Sequence, residues 1–223
     1  MTGSDALGLG MSLIQIVWIN ILLSGDNAMV IALACRSLPA VQRRLGIVLG
    51  AGAAVLLRIL LTAGVSQMLE IPYLKAVGGV LLVWVAIRLL LSDDPDGEAV
   101  AGHDRLWRAI WTVMVADVVM SLDNIIAIAA AAKGSTWLIG FGLALSIPLV
   151  VAGSSLIVLL IDRYPVLVWA GAGLLGWIAG DMLMADKAVA GWAANGPTAT
   201  VVAAGTAVLV LVVSWTLKRR APS

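Results

Sequence analysis

An all-α, polytopic membrane protein is the fold class that this sequence predicts. Apolar residues make up 61% of the 223 residues and charged residues only 12%, about half the share typical of soluble domains. Apolar windows of about 20 residues recur along the chain, and each is long enough to cross a hydrocarbon core of ~30 Å. The net charge of +1 comes without a basic cluster. The sequence therefore predicts a lipid bilayer as partner and no nucleic acid.

The apolar windows place the individual spans. We predict seven transmembrane helices, at about 8–34, 44–67, 72–91, 107–132, 137–161, 165–185 and 198–217. The connections are short except for the polar segment 92–106, which divides a single transmembrane domain, residues 1–223, into two halves. No basic region and no clear cleavage site precede the first span, so we interpret it as retained rather than as a signal peptide.

The basic residues predict the orientation of the chain. With the N-terminus outside, the cytoplasmic segments hold ten of them: Arg36, Arg43, Arg44, Arg88, Arg105, Arg108, Arg163, Lys218, Arg219 and Arg220. The outer segments hold only Lys75, Lys133 and Lys187. Because Lys and Arg concentrate in cytoplasmic loops, we predict an outer N-terminus and a cytoplasmic C-terminus.

The two halves repeat. At an offset of 97 the first span matches the fourth: Ser24, Asp26, Asn27, Ile31, Ala32 and Ala34 fall on Ser121, Asp123, Asn124, Ile128, Ala129 and Ala131, and Asn20 falls on Asp117. At an offset of 93 the third span matches the sixth: Gly78, Leu81, Leu82, Trp84, Ala86 and Leu90 fall on Gly171, Leu174, Leu175, Trp177, Ala179 and Leu183. Each repeat has three spans, an odd number, so the two must cross the membrane in opposite directions. We predict two inverted three-helix repeats, at about 8–91 and 107–185, and an extra helix at about 198–217.

A carboxylate beside a carboxamide occurs once in each half, inside an apolar span. The pairs are Asp26-Asn27 and Asp123-Asn124, and Asp117 lies in the same fourth span. A charged side chain at bilayer depth costs roughly 2.5–3.5 kcal/mol on insertion scales, and such residues usually serve a function. Oxygen ligands without buried His or Cys suit Mg²⁺, Ca²⁺ and Mn²⁺. We therefore predict a divalent-cation site from these five side chains; the structural alternative is that each pair pins helices by hydrogen bonds.

Six further residues are candidate accessory or gating residues: Asn20, Ser24, Ser121, Arg58, Asp181 and Met120. A thioether from Met120 would favour Mn²⁺. Ser24-Gly25 is a weak point in a helix, since Gly costs ~1 kcal/mol relative to Ala, and we expect the first span to break there. Arg58 is a counter-ion of the empty site, a gate, or a static partner of Asp117. Asp181 has either an anchoring or a binding role.

Three motifs carry a family resemblance: Leu23-Ser24-Gly25-Asp26-Asn27-Ala28, Ser121-Leu122-Asp123-Asn124 and Leu174-Leu175-Gly176-Trp177-Ile178-Ala179. Together with the span pattern they resemble the TerC family of integral membrane proteins, in the branch called YjbE-like. The resemblance implies a fold of the LysE-type transporter superfamily in a bacterial cytoplasmic (inner) membrane. It also implies efflux of Mn²⁺, with Ca²⁺ as the alternative ion, and Asp26 and Asp123 as metal ligands.

The leading hypothesis is a secondary transporter that exports a divalent cation by alternating access, with coupling to protons through Asp117. It is not an enzyme and holds no resident cofactor. Three other functions stay open: a membrane assembly protein that loads metal into partners, an exporter of another cationic solute, and an intramembrane aspartyl protease with two aspartates as acid and base. The last lacks a Gly-x-Gly-Asp motif. The oligomeric state is open.

Overall fold

The computed structural model describes residues 3–62, 71–91, 102–131, 136–189 and 197–220. These residues form seven α-helices and no strand: α1 (Gly3–Cys35), α2 (Ala40–Thr62), α3 (Leu74–Leu91), α4 (Gly102–Ala131), α5 (Thr136–Arg163), α6 (Val166–Met184) and α7 (Pro197–Arg220). Each predicted span falls on one helix, so the all-α prediction is confirmed. Five helices (α2, α3, α5, α6 and α7) are long and apolar enough to cross a membrane.

Proline marks the start of four helices. Pro39 precedes α2, Pro72 precedes α3 by one further residue, Pro165 caps α6, and Pro197 is the first residue of α7. Proline suits these positions because its missing N–H would have no partner in the first turn. Proline therefore marks these four helix starts, whereas Pro148 lies inside α5.

Two predicted helix features were wrong. α1 runs without interruption from Gly3 to Cys35, so the expected break at Ser24-Gly25 is absent. An unbroken helix keeps its backbone groups hydrogen-bonded, which an apolar environment strongly favours. α4 begins at Gly102 and therefore takes up residues that we predicted to belong to the polar connection. Asp104 in its first turn favours this extension, because a carboxylate stabilises the positive end of the helix dipole.

The helices of the two halves pack against each other rather than separately. α1 packs on α5 and α4, α4 packs on α2, and α3 packs on α6. The centre of this arrangement is apolar, and its largest fully buried side chains include Leu33, Leu82, Leu90 and Leu175. α7 packs mainly on α6. The helices that carry the two Asp-Asn motifs, α1 and α4, are therefore direct neighbours.

Glycines let α6 approach its neighbours closely. A Cβ on Gly79 would lie 2.7 Å from the carbonyl oxygen of Ala179, between α3 and α6. A Cβ on Gly176 would lie 2.8 Å from the Cα of Ala207, and one on Gly180 would lie 2.5 Å from the Cα of Ala203. Such small-residue contacts let helices associate by van der Waals packing where the hydrophobic effect offers little. They fix α3, α6 and α7 as a scaffold beside α1 and α4.

Two buried or half-buried arginines join helices at one end of the bundle. Arg36 Nη2 donates to the carbonyl oxygen of Leu89 at 2.9 Å, near the C-terminus of α3. Arg43 Nη1 forms an ion pair with Asp162 Oδ2 at 3.0 Å, which links α2 to α5. Arg43 Nη2 also donates to the carbonyl oxygen of Arg36 at 2.9 Å. A cation is favourable at these C-terminal helix ends because the helix dipole is negative there.

One buried carboxylate joins helices at the opposite end. Asp186 follows α6, is only 1% exposed, and accepts backbone N–H groups of Tyr73 at 3.0 Å, Ala76 at 3.1 Å and Ala188 at 2.8 Å. It therefore caps the N-terminus of α3 from the end of α6. Burial by itself would raise the pKa of Asp186, but the N–H groups of Ala188, Ala76, Tyr73 and Lys75 outweigh it and lower the pKa below the ordinary carboxyl value.

Candidate cation site

A small cavity lies between α1 and α4. Its lining residues are Asn27, Val30 and Ile31 from α1 and Val113, Asp117 and Met120 from α4. Both sets have the three- and four-residue spacing of a single helix face. The cavity has a volume of about 10 Å³, near the smallest that holds one water molecule. The cavity could therefore hold one dehydrated ion or one water molecule.

Asp117 is the carboxylate of this cavity, and it is paired with Arg58. The two side chains are 5% and 4% exposed, and Arg58 Nη2 donates to Asp117 Oδ1 at 2.5 Å. The other carboxylate oxygen, Oδ2, is buried and has no hydrogen-bond partner among the described residues. Arg58 therefore contacts Asp117 directly. An unpaired carboxylate oxygen in a dry interior is costly unless a cation, a water molecule or a proton satisfies it.

Asn27 supplies the carboxamide of the cavity, while Asp26 points elsewhere. Asn27 is buried and lines the cavity; Asp26 is half-buried and is not among the lining residues. The Oδ1 atom of Asp26 accepts the backbone N–H of Asn27 at 2.7 Å. Its carboxylate lies within electrostatic range of Arg58 and Asp117. Successive residues of an unbroken helix point about 100° apart, which explains why the pair does not face the cavity together.

The other predicted residues divide into three groups. Met120 lines the cavity, and Ser121 is buried and donates to the carbonyl oxygen of Val118 at 3.3 Å. Ser24 is buried on α1, whereas Asp181 is exposed on α6 and is not part of the cavity lining. Three residues have side chains outside the described part of the structure: Asn20, Asp123 and Asn124.

The charge of this region is set by few side chains. In the described part of the chain, Asp26 and Asp117 contribute two formal negative charges and Arg58 one positive charge, which leaves −1. Among the described residues, no three His, Cys, Asp or Glu side chains come together. The described donors at the cavity are the Asp117 carboxylate, the Asn27 carboxamide and the Met120 thioether. This set is mainly one of hard oxygen donors, which suits Mg²⁺, Ca²⁺ or Mn²⁺.

Comparison with known proteins assigns the family. Residues 7–222 match the model of the "Integral membrane protein TerC family". The chain belongs to the TerC family. It is 43% identical over 176 residues to the "Uncharacterized membrane protein YjbE" of Bacillus subtilis (strain 168), an alignment that covers 79% of this chain and 80% of that one.

Two further relatives come from the same organism. The chain is 27% identical over 167 residues to the "Uncharacterized membrane protein YceF", covering 71% of this chain and 65% of that one. It is 24% identical over 136 residues to the "Uncharacterized membrane protein YkoY", covering 59% of this chain and 42% of that one. No solved structure matches the chain. The protein is thus an integral membrane protein of a family associated with ion and metal transport.

The sequence did not identify the apolar part of the cavity. Val30, Ile31 and Val113 line it, and nothing in their identity distinguishes them from lipid-facing or core residues. The helix period was the available signal, because Val30 and Ile31 follow Asn27 by three and four residues and Val113 precedes Asp117 by four. These side chains leave a cation few ligands other than Asn27, Asp117 and Met120.

Proposed function

We propose that this protein is a secondary transporter that exports a divalent metal cation, with Mn²⁺ as its substrate, through the cavity between α1 and α4. One observation carries the proposal: Asn27 and Asp117 line the same cavity, and Asp117 keeps a buried oxygen without a hydrogen-bond partner among the residues that the structure describes. Helices packed only for stability rarely leave such an oxygen unsatisfied. A cation beside the carboxylate would satisfy it.

The charge balance supports a divalent substrate. In the proposed site, in which Asp123 joins Asp26 and Asp117 as an acid and Arg58 is beside Asp117, the formal charge of −2 equals the charge of one bound divalent ion in magnitude. With an ion bound, the site has no net charge, and a neutral site costs less free energy in the low-dielectric membrane interior than one with unpaired charges. The oxygen donors favour Mg²⁺, Ca²⁺ or Mn²⁺, and the Met120 thioether favours Mn²⁺ among them.

The packing supports inverted repeats and alternating access. In the proposed repeat, α1, α2 and α3 correspond to α4, α5 and α6. Exchanging the halves turns the contact of α1 with α5 into that of α4 with α2, and both contacts occur. The contacts of α1 with α4 and of α3 with α6 are unchanged by the exchange. A site on the contact between α1 and α4 then lies at the repeat interface, where such transporters bind substrate near mid-membrane.

The energetics of transport follow from orientation and charge. We place the N-terminus outside a bacterial cytoplasmic membrane, so that the Arg36 and Arg43 end of the bundle is cytoplasmic. Export of a cation works against the membrane potential, at about 2.3 kcal/mol per charge per 100 mV. The sequence holds no nucleotide-binding motif, and uptake of protons by a membrane carboxylate is the proposed source of energy. Export itself is taken from the family resemblance.

Flux into proteoliposomes tests the proposal. Purified wild type should carry Mn²⁺ across the bilayer, and Asp117→Asn should reduce the flux to that of empty liposomes while remaining folded. Asp26→Asn and Asp123→Asn test the carboxylates of the two Asp-Asn motifs in the same assay. Competition by Ca²⁺, Mg²⁺ and Zn²⁺ ranks the substrates. If intact, correctly inserted wild type carries none of these ions, the transporter proposal fails and a role in the assembly of other membrane proteins takes its place.

A further inference from the structure

We propose that Arg58 is a positioning residue that makes Asp117 a one-oxygen ligand and thereby favours small divalent cations over Ca²⁺. The inference rests on the proposed function, namely that a cation binds in the cavity lined by Asn27 and Asp117. It assigns to α2, which lies outside the cavity lining, a part in substrate selection.

The division of labour between the two carboxylate oxygens carries the inference. Arg58 Nη2 holds Oδ1 of Asp117 at 2.5 Å, and both side chains are more than nine-tenths buried. Oδ2 has no hydrogen-bond partner within the described part of the chain, and it belongs to a residue that lines the cavity. A cation can therefore bind Oδ2 without breaking the contact with Arg58. While that contact lasts, a cation that approached both oxygens would come close to the positively charged guanidinium, so the geometry favours binding through Oδ2 alone.

Helix packing holds the arginine in this position. α2 and α4 are direct neighbours, and a Cβ added to Gly50 of α2 would lie only 3.4 Å from Val113 of α4. Val113 is itself a lining residue, one helical turn before Asp117. The close contact of the two helices and the contact of Arg58 with Asp117 therefore lie along the same side of α4.

The repeat gives an independent argument. Asp117 corresponds to Asn20, and the residues of α5 that correspond to Arg58, at offsets of 93 to 97, are positions 151–155, which read Val-Ala-Gly-Ser-Ser. The first half of the site thus lacks the carboxylate, and its partner helix lacks the base. The guanidinium of Arg58 and the carboxylate of Asp117 thus occur together, and the equivalent positions of the other repeat have neither group. This pattern is expected if Arg58 acts through Asp117 rather than on its own.

The geometry has a consequence for selectivity. Ca²⁺ takes six to eight oxygen ligands at 2.3–2.6 Å and readily accepts both oxygens of one carboxylate, whereas smaller ions bind at about 2.0–2.1 Å with fewer ligands. A carboxylate restricted to one oxygen in a cavity of about 10 Å³ disfavours Ca²⁺. Groups that orient a ligand in this way typically change metal affinity about 10- to 100-fold when they are removed.

Equilibrium binding to purified protein in detergent tests the inference, with the signal of free Mn²⁺ in electron paramagnetic resonance as readout and Ca²⁺ as competitor. Arg58→Gln should weaken Mn²⁺ binding about 10- to 100-fold and lower the preference for Mn²⁺ over Ca²⁺. Arg58→Lys, which keeps the charge, should recover part of the affinity. In an Asp117→Asn background, Arg58→Gln should change neither the residual affinity nor the preference. Arg36→Gln is the matched control, since Arg36 is also buried but donates to the Leu89 carbonyl.

The outcomes separate this inference from the function on which it rests. Tighter binding of both ions by Arg58→Gln would mean that Arg58 competes with the cation, and it would overturn the inference. So would an Arg58→Gln effect that persists undiminished in the Asp117→Asn background. Weak binding by Asp117→Asn with normal binding by Arg58→Gln overturns the inference and leaves the proposed function intact. A wild type that binds no Mn²⁺ overturns both.

Discussion

Asp117 and Asp186 are both buried aspartates, and their carboxylates have opposite hydrogen-bonding environments. Asp186, which lies after α6, accepts backbone N–H groups on both oxygens from the start of α3 and from its own turn. Asp117, within α4, accepts one hydrogen bond from Arg58 on one oxygen, and its other oxygen has no partner in the described part of the chain. The first carboxylate is complete without a ligand, and the second is not.

The difference separates a structural acid from a candidate functional one. The hydrogen bonds of a fully satisfied carboxylate offset the free-energy cost of its desolvation and so stabilise the fold. A carboxylate with one unsatisfied oxygen in a membrane interior keeps part of that cost, about 1–3 kcal/mol, unless something binds. Burial of an acid therefore does not identify the site in this protein. The oxygen without a partner among the described residues, placed on a cavity with Asn27, is what selects Asp117 as the candidate.

The largest expected difference between changes at Asp117 and at Asp186 is in Mn²⁺ transport. Asp117→Asn should reduce Mn²⁺ flux in proteoliposomes to background, because the amide removes the charge that binds the cation. Asp186→Asn is the matched control, another buried aspartate changed in the same way, and it should keep the wild-type concentration dependence of flux. Equal losses of flux in the two folded variants would erase the distinction between them.

The second effect is on stability, and here the change at Asp186 rather than at Asp117 should have the larger effect. Asp186→Ala removes the cap of α3 and leaves several N–H groups without an acceptor, so its free energy of unfolding should fall by about 1–3 kcal/mol. The measurement is thermal unfolding of the purified protein in detergent. The surviving folded fraction should bind Mn²⁺ with unchanged affinity. An undiminished melting temperature would show that Asp186 does not tie α3 to α6.

Lowering the pH should weaken the same link between α3 and α6 in the wild-type protein, without a mutation. Because the pKa of Asp186 is lowered in the folded protein, its stabilising contribution is fully present above the unfolded-state value of about 4 and disappears as the pH falls through the folded value. Melting temperatures measured from neutral to strongly acidic pH should therefore fall more steeply for wild type than for Asp186→Asn. Parallel curves for the two proteins would contradict the lowered pKa.

The smallest effect concerns Gly25, beside the Asp-Asn motif. α1 is unbroken there, and a Cβ on Gly25 would meet no described atom within 4 Å. Gly25→Ala should therefore fold normally, gain up to about 1 kcal/mol of helix stability and transport Mn²⁺ as wild type does. Loss of flux in a folded Gly25→Ala protein would mean that α1 must open at this point during transport, which would extend the site from side chains to backbone.

The sequence predicted the helices and part of the site for physical reasons that also explain the failures. Apolar windows are local signals, so the seven helices of the described residues could be placed. Asn27 and Asp117 could be selected because polar groups in an apolar span have few explanations. Asp186 could not be recognised, since its hydrogen-bond donors Tyr73 and Ala76 lie 113 and 110 residues away and are backbone groups. The partner of Arg58 stayed open because it depends on how α2 packs on α4.

The most direct test of the central claim is the position of the ion itself. Crystals of the wild-type protein soaked in Mn²⁺ should show an anomalous scattering peak, measured near the manganese absorption edge, between Asn27 and Asp117, within bonding distance of Asp117 Oδ2. Asp117→Asn crystals treated in the same way should lack it. A wild-type peak at another place in the bundle, with the cavity between α1 and α4 empty, would contradict the assignment of the cation site.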